Sequence, residues 1–226
     1  MKHIQKMDLF GSSNVGLYLA ASDTYTIAGI SIIESDIQKI TSVLQTPVLQ
    51  TTVCGTSLVG LFLSITDEYI FVPDLAFESE IEKLRSTNLT VVVVPTKLTA
   101  LGNNMLYANG VLFVSMEFEQ SAIESITEQV PVKKVHRVEI ADTDVIGSCI
   151  VTNAKGGIVH PFADDTLLDL LEDALQIPLT KATVSQNSPY VKSGVVVNSN
   201  GFIVGQMTSG PELVHIDEAL GFLQTQ

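Results

Sequence analysis

A ten-residue segment that occurs twice limits the possible folds of this 226-residue chain more than any other feature. Residues 10–19 read FGSSNVGLYL and residues 54–63 read CGTSLVGLFL, so six of the ten positions are identical. The two copies are 44 residues apart, and a fixed period in this range is typical of repeat architectures. The chain is therefore expected to contain several copies of one structural unit.

Predicted helix starts recur with nearly the same period. Four segments have Ser followed three residues later by Glu or Gln, the pattern of a capping box, and Asp165 is expected to act as a similar N-cap. The four segments are Ser35–Gln38, Ser79–Glu82, Ser121–Glu124 and Ser209–Glu212. With Asp165 included, successive starts are spaced by 44, 42, 44 and 44 residues. Apolar stripes follow the starts at helical spacing, as in Ile37, Ile40 and Leu44 and in Leu168, Leu171 and Leu175. The sequence therefore predicts five amphipathic helices.

Each predicted helix is preceded by a hairpin pattern and followed by one more extended run. The hairpin turn signals are SDTY (22–25), TDEY (66–69), ANG (108–110), NAKG (153–156) and NSNG (198–201). A glycine stands before each hairpin: Gly16, Gly60, Gly102, Gly147 and Gly194. A glycine that recurs at a strand entry indicates positive φ or close approach of backbones. The repeating unit is therefore a ββαβ module of the α/β (α+β) class.

The two ends of the chain complement each other. The fifth unit ends with its helix and lacks a closing strand, while alignment of residues 2–16 with residues 46–60 gives segment 2–9 the place of such a strand. Joined in this way, five units close into a ring with no exposed repeat end. The sequence thus predicts a single domain over residues 1–226. Its approximate repeats are 10–53, 54–96, 97–140, 141–188 and 189–226, the last completed by 2–9.

Composition restricts the class of protein. Apolar residues make up 46% of the chain, which excludes disorder, and the longest aliphatic run, Val91–Val94, is far too short to cross a membrane. The N-terminus has no apolar run of signal-peptide length, and Cys54 and Cys149 are expected to be reduced thiols. The formal charge of −13 argues against a broad nucleic-acid footprint. We expect a soluble, cytoplasmic monomer without a membrane partner.

No motif for a cofactor or a metal is evident. The sequence contains no phosphate-binding G-x-x-x-x-G-K-[ST] loop, no C-x-x-C pair and no H-E-x-x-H. The acidic residues between Asp164 and Asp173 fit a helix N-terminus and a solvated helix face. We therefore expect neither a cofactor nor a metal site.

Four stretches of the sequence resemble the translation initiation factor 6 family in its archaeal form. They are CGTSLVG (54–60), TALGNN (99–104), VTNAKGGIVHP (151–161) and TSGPELVHIDEALG (208–221). The resemblance implies a pentein fold, a five-fold pseudo-symmetric α-β propeller that the N-terminal strand closes. It covers essentially the whole chain.

The resemblance also implies a function. Such a factor would bind the intersubunit face of the large (50S) ribosomal subunit and sterically prevent its association with the small subunit, acting in translation and ribosome biogenesis. The implied partners are ribosomal proteins of the uL14, uL3 and eL24 families and the sarcin–ricin loop region of 23S rRNA. Its release would be linked to a Shwachman–Bodian–Diamond-type protein and an elongation-factor-like GTPase. The contact residues carried over by position are Asn103, Leu61, Cys149, Gly16 and Gly194.

Two other functions remain open at this stage. Penteins include hydrolases and transferases that act on guanidino substrates through a nucleophilic Cys and a His, for which Cys149 and His160 are the candidates. Cys149 lies in an apolar strand and His160 at a strand end, so we expect no enzyme. A scaffold for a non-ribosomal protein is the third possibility.

Overall fold

Short β-rich runs separated by tight turns produce fifteen strands in the computed structural model, which describes residues 3–223. The strands are β1 Ile4–Lys6, β2 Leu19–Ala21, β3 Thr26–Gly29, β4 Val48–Thr51, β5 Ser64–Ile65, β6 Tyr69–Pro73, β7 Thr90–Val94, β8 Met105–Ala108, β9 Val111–Val114, β10 Lys134–Arg137, β11 Ile150–Thr152, β12 Gly157–Val159, β13 Leu179–Lys181, β14 Val195–Val197 and β15 Phe202–Val204. Residue 2 of the predicted closing segment and the last three residues of the fifth repeat lie outside the described residues.

Five longer helices alternate with short helical turns. The longer ones are α1 Glu34–Leu44, α3 Glu78–Arg85, α5 Gln120–Gln129, α6 Asp165–Leu175 and α8 Gly210–Ala219. The short ones are α2 Val59–Phe62, α4 Leu101–Asn104, α7 Val191–Gly194 and two 3₁₀ turns, Val15–Leu17 and Ile146–Ser148. One longer helix and one short turn occur in each of the five repeats, as the 44-residue period predicts. Among residues 3–223, each helix is too short or too polar to traverse a lipid bilayer.

Every repeat forms a three-stranded sheet of the same topology. An antiparallel hairpin is joined by a parallel third strand, in the orders β2-β3-β4, β5-β6-β7, β8-β9-β10, β11-β12-β13 and β14-β15-β1. In the last sheet the N-terminal strand takes the third place, because Ile4 pairs in parallel with Phe202 and Lys6 with Val204. The predicted closure of the ring by the N-terminus is therefore confirmed.

The predicted capping boxes are only partly correct. Ser209 caps α8, and its side chain and that of Glu212 form the expected reciprocal pair. In the first three long helices the N-caps are instead Ile33, Phe77 and Glu119, two residues before the predicted serines. Asp164, not Asp165, caps α6, where its side chain accepts a hydrogen bond from the Leu167 N–H group at 2.9 Å. The first three long helices thus begin one residue before the serines that were expected to cap them.

Helix packing couples each repeat to the one before it. On α3, Ile81 and Leu84 are buried together with Val72 of their own sheet and Ile27 of the preceding sheet. On α6 the buried residues are Leu167, Leu171 and Leu175, so the predicted stripe is shifted from Leu168 to Leu167. Every long helix is wedged in this way between two sheets. No repeat can therefore expose its apolar face without disrupting its neighbour.

A ring of close backbone contacts surrounds the axis of the molecule. A Cβ atom added at Gly60 would lie 2.0 Å from the carbonyl oxygen of Gly16, and one at Gly102 would lie 2.2 Å from that of Gly60. The pattern continues at Gly147, 2.4 Å from the oxygen of Gly102, and at Gly16, 1.8 Å from that of Lys192. Real Cβ atoms do not approach backbone oxygens so closely. The recurring glycines therefore mark backbone crowding at the inner turns, as predicted.

The hairpin tips all lie at the end of the ring where the helices terminate. The side-chain amide of Asn109 donates to the Leu175 carbonyl at 2.8 Å, and that of Asn198 donates to the Leu44 carbonyl at 2.7 Å. Asn153 does the same to Leu220 at 3.0 Å. These amides satisfy carbonyls at the C-termini of helices in the next repeat. We call this end, where a depression of about 640 Å³ opens, the tip face.

Candidate interaction surface

The opposite end of the ring carries the short helical turns and the N-termini of the long helices. We call it the turn face and define it by two sets of loops. The first set leads into the hairpins, at residues 9–17, 53–61, 95–103, 140–148 and 184–193. The second leads into the long helices, at residues 30–33, 74–77, 115–119, 160–164 and 205–209. Hydrogen bonds join the sets, for example from the Ser57 hydroxyl to the Ile30 carbonyl at 2.9 Å and from the Met207 N–H to the Ser13 hydroxyl at 3.2 Å.

Tight turns with left-handed backbone define the first set of loops. Residues 9–12, 53–56 and 140–143 each form a two-residue turn whose central residues both have positive φ. Only two of the six central residues are glycine, and Ala141 and Cys54 are held at φ of 50° and 53°. Each non-glycine residue in this region carries a cost of about 1 kcal/mol or more. Favourable contacts from elsewhere must therefore hold these turns.

Three glutamates on the turn face bind neighbouring loops, and one of them, Glu80, holds such a turn. The Glu80 carboxylate accepts hydrogen bonds from the N–H groups of Cys54 and Gly55 at 2.8 and 2.9 Å, and also from Phe77 N–H at 2.9 Å. Glu119 accepts from the Thr96 hydroxyl at 2.6 Å and the Lys97 N–H at 2.9 Å. Each carboxylate stands at a helix N-terminus and binds the neighbouring loop. The turn face is thereby fixed by charged hydrogen bonds that the sequence pattern did not reveal.

Glu212 has the most extensive of these networks. It accepts hydrogen bonds from the N–H groups of Asn187 and Ser209 at 2.9 and 2.8 Å and from the Thr183 hydroxyl at 3.0 Å. Burial opposes ionisation of this carboxylate, but the hydrogen bonds outweigh it and lower the pKa of Glu212 from 4.5 to about 2. The ionised form is therefore part of the native structure.

We expect Glu212→Gln to lower the free energy of unfolding by about 2 kcal/mol at pH 7, because the charged acceptor is lost. Partial exposure of the carboxylate to solvent keeps the loss from being larger. A lowered pKa contributes stability that is present above the unfolded value near 4.5 and is lost as the pH falls toward 2. Urea unfolding at pH 7, 4 and 2.5 measures both effects. Between pH 5 and 2.5 the variant should lose less stability than the wild type. Glu218→Gln, an exposed change on the same helix, is the control, and an equal effect there would contradict the assignment.

Exposed apolar side chains are concentrated on the turn face. Among residues 3–223, eleven large hydrophobic residues are exposed, and nine belong to the loops that define this face. The nine are Phe10, Ile30, Ile33, Leu75, Phe77, Met116, Phe162, Tyr190 and Met207. Phe162 is 77% exposed, and Phe77 is 60% exposed beside the turn at Gly55. Exposed apolar residues concentrated on one face are typical of interaction sites.

Charged groups around these apolar residues are mainly acidic. The exposed acids at the helix starts are Glu34, Asp74, Glu78, Glu117, Asp164 and Asp165. The guanidinium of Arg137 donates to the carbonyls of Met116 and Phe118, so part of its donor capacity is used within the chain. Lys97 is an exposed cation on the same face. An apolar surface with an acidic rim complements a partner that is apolar and basic.

The residues expected from sequence to make contacts differ in accessibility. Asn103 in α4 and Leu61 in α2 are half-buried on the turn face, one residue after the inner glycines. The backbone of Gly16 is buried in the inner ring. The Cys149 side chain is completely buried, so it cannot touch a partner in this conformation. Asn103 and Leu61 therefore remain as candidates with accessible side chains.

Gly194 is not equivalent to the other four glycines. A Cβ atom at Gly194 would meet the Val184 side chain at 2.7 Å and not a carbonyl of the inner ring. In α7 the position that matches Gly60 in α2 and Gly102 in α4 belongs to Lys192, the second residue of the helix. The expected alignment of Gly194 is therefore wrong by two residues. The fifth repeat has a lysine where the others have glycine.

The two cysteines lack the surroundings of a catalytic nucleophile. Burial, with the nearby Glu80 and Asp74 charges, raises the pKa of Cys54 to about 11, and burial also raises the pKa of Cys149. His160 is buried, which lowers its pKa, and its Nδ1 accepts a hydrogen bond from Phe162 N–H at 3.2 Å. Among the described residues the Cys149 thiol lies 3.8 Å from the Ser148 hydroxyl, and no hydrogen bond joins it to the His160 ring. Within residues 3–223, no group of His, Cys, Asp and Glu side chains is arranged to hold a metal ion.

Comparison with known proteins identifies the relatives of this chain. Residues 4–219 match the model of the eIF-6 family. Translation initiation factor 6 of Pyrococcus horikoshii is 32% identical over 98% of this chain and 100% of its own length. The factors of the same name from Thermococcus onnurineus and Saccharolobus islandicus are 31% and 30% identical, over 98% and 97% of this chain and 99% of each relative.

Solved structures share the fold. ArgZ, an arginine dihydrolase from the ornithine–ammonia cycle in cyanobacteria, superposes with a TM-score of 0.50 at 14% identity. The match covers 75% of this chain but only 29% of that enzyme. At this identity the likeness concerns the fold alone, and together with the five three-stranded sheets it confirms the pentein fold.

Proposed function

This chain belongs to the eIF-6 family and is a translation initiation factor; from that premise we propose that its turn face binds the intersubunit face of the large ribosomal subunit and sterically prevents association with the small subunit. The observation that carries the proposal is the concentration of exposed apolar residues on this one face. A stable interface buries about 1,200–2,000 Å² in total, a size that one end of a five-repeat ring can provide.

The chemistry of the turn face favours ribosomal proteins as the principal contacts. Its acidic rim would repel RNA phosphates, whereas basic proteins of the uL14, uL3 and eL24 families would be attracted. Contact with the sarcin–ricin loop region of 23S rRNA would then be local. Release linked to a Shwachman–Bodian–Diamond-type protein and an elongation-factor-like GTPase belongs to the same proposal.

We also propose that the factor acts without catalysis. Its cysteines are held as thiols by their raised pKa values, and steric exclusion requires only a rigid body at the right place. No turnover of arginine or agmatine is expected. Turnover that disappears in Cys149→Ser would support the enzyme alternative instead.

Co-sedimentation with purified archaeal ribosomal subunits tests the main proposal. The protein should sediment with large subunits, leave small subunits unbound and decrease the fraction of 70S particles. Absence of binding to large subunits at moderate salt would contradict it. Binding without any decrease in 70S particles would restrict the function to docking.

Asn103→Ser should weaken binding to large subunits about ten-fold and change Tm by less than about 2 °C. The reason is that the Asn103 side chain has no hydrogen-bond partner within residues 3–223 and is available to a partner molecule. Sedimentation binding curves and thermal unfolding measure the two quantities.

The neighbouring asparagine provides a matched control. Asn104 is buried, and its side-chain amide donates to the Ala100 carbonyl at 2.9 Å. Asn104→Ser should therefore lower Tm, while the fraction that remains folded binds normally. If Asn103→Ser instead lowers Tm as much as Asn104→Ser, Asn103 is a structural residue.

A further inference from the structure

Lys192 occupies a position in the ring that four glycines occupy in the other repeats. Its carbonyl oxygen contacts Gly16 in the same way that the Gly16 carbonyl contacts Gly60. Because that position faces the axis, its side chain enters the centre of the molecule. The Lys192 ammonium donates to the carbonyl of Gly102, 90 positions away in the chain, at 2.6 Å.

Among residues 3–223, no carboxylate forms an ion pair with the Lys192 ammonium. The elements packed most closely against α7 are the two 3₁₀ turns and strands β11 and β14, while α4 provides the Gly102 carbonyl. None of these elements contains an acidic, basic or histidine residue. Burial alone lowers the pKa of Lys192 to about 8, and the ammonium predominates at neutral pH. The ammonium has three N–H donors, and its hydrogen bond to the Gly102 carbonyl uses one of them, so two remain available.

A cavity of about 110 Å³ has Lys192 in its lining. Of the described residues that line it, Lys192 alone is charged, and Leu19, Leu63, Met105, Ile150 and Val196 are among the apolar ones. The cavity adjoins the depression on the tip face, since Ala21, Ile65, Leu106, Thr152 and Val197 line both, and we take that depression as its entrance. A cation against an apolar cavity is costly unless an anion pairs with it.

We propose that this axial cavity is a binding site for one small, singly charged anion, which pairs with the Lys192 ammonium. The volume suits a chloride ion or a short monocarboxylate such as acetate. Its apolar walls favour an anion of single charge, which costs less to desolvate than a multiply charged one. Asp23, Asp67 and Glu68 line the entrance on the tip face and disfavour multiply charged anions.

Thermal unfolding of the full chain in sodium chloride, sodium acetate and sodium sulfate tests the site. Because the anion binds one site in the folded state, Tm should rise steeply at first and then only with the logarithm of the concentration, by about 3–6 °C at a ten-fold excess over the dissociation constant. We call this curved response of a saturable site the saturating phase. Whichever of chloride and acetate begins to raise Tm at the lower concentration is the preferred anion. Sulfate should show only the linear stabilisation common to excluded salts.

Three variants make the test specific. Lys192→Met, which retains the stem, and Lys192→Gly, which restores the pattern of the other repeats, should both lose the saturating phase. Lys97→Met removes an exposed cation and should retain it. In the wild type the saturating phase should nearly vanish at pH 9.5. The bound anion adds stability below pH 8, where the Lys192 amine is protonated, and this added stability is lost as the amine deprotonates.

The proposal is overturned by either of two results. A saturating phase that persists in both Lys192 variants would place the anion elsewhere, and linear behaviour of the wild type in all three salts would mean that only water occupies the cavity. The experiment uses the free protein, so its result is independent of ribosome binding.

Discussion

Gly60→Ala is expected to lower the free energy of unfolding by about 3 kcal/mol or more and Tm by about 6–12 °C. The added methyl group would lie 2.0 Å from the Gly16 carbonyl oxygen and 2.4 Å from that of Leu19. Both atoms are backbone, so the adjacent repeats must move apart to accommodate it. Calorimetry and urea unfolding measure the loss.

Gly210→Ala provides the control for this prediction. Gly210 begins α8, and no atom lies within 4 Å of the position that its Cβ would take. We expect a change below about 1 kcal/mol, because alanine meets no obstacle there and is the better helix former. If Gly60→Ala is as well tolerated as Gly210→Ala, the close packing of the inner ring is not what holds the repeats together.

Phe162→Glu is expected to weaken binding to the large ribosomal subunit about 100-fold while Tm stays within about 2 °C of the wild type. The side chain is 77% exposed in the free protein, so folding depends little on it. In the variant a carboxylate takes the place of the apolar ring, and docking must then remove water from that charge. Binding curves from sedimentation, together with thermal unfolding, separate the two effects.

Val214→Glu is the matched control for the docking prediction. Val214 is 50% exposed on α8 and does not belong to the turn face. The change adds the same charge to a similarly exposed apolar residue. Equal loss of binding in both variants would show that net charge, and not the turn face, governs the interaction. Full binding by Phe162→Glu would exclude the region around Phe162 from the interface.

The candidate site was only partly predictable from the sequence. Asn103 and Leu61 follow the recurring glycines and could be located by position, but the exposure of Phe77 and Phe162 was not foreseen. A signal did exist, because apolar residues stand just before several helices where polar caps are usual. Ser35 and Ser79 fit the capping-box pattern two residues later, and this pattern hides the apolar N-caps.

Burial and cross-repeat contacts explain the remaining differences. Cys149 and Gly194 follow the same motif spacing as the other candidates, yet one is buried and the other lies two residues beyond its expected place. Spacing along the chain cannot distinguish a residue that faces solvent from one that faces the core. Glu80 binds a turn 25 residues earlier in the chain because α3 lies against the loop that contains Gly55. Spacing along the chain does not predict that arrangement.

The sequence alone determined the five-fold repeat, the ββαβ order and the closure of the ring by the N-terminal strand. These features follow from hydrophobic periodicity and turn residues, which act locally and recur with each copy. Only the tertiary structure decided which residues surround the axis, which turns the glutamates hold and which end of the ring is apolar. Those outcomes depend on contacts between different repeats, and such contacts arise only when the repeats are packed together.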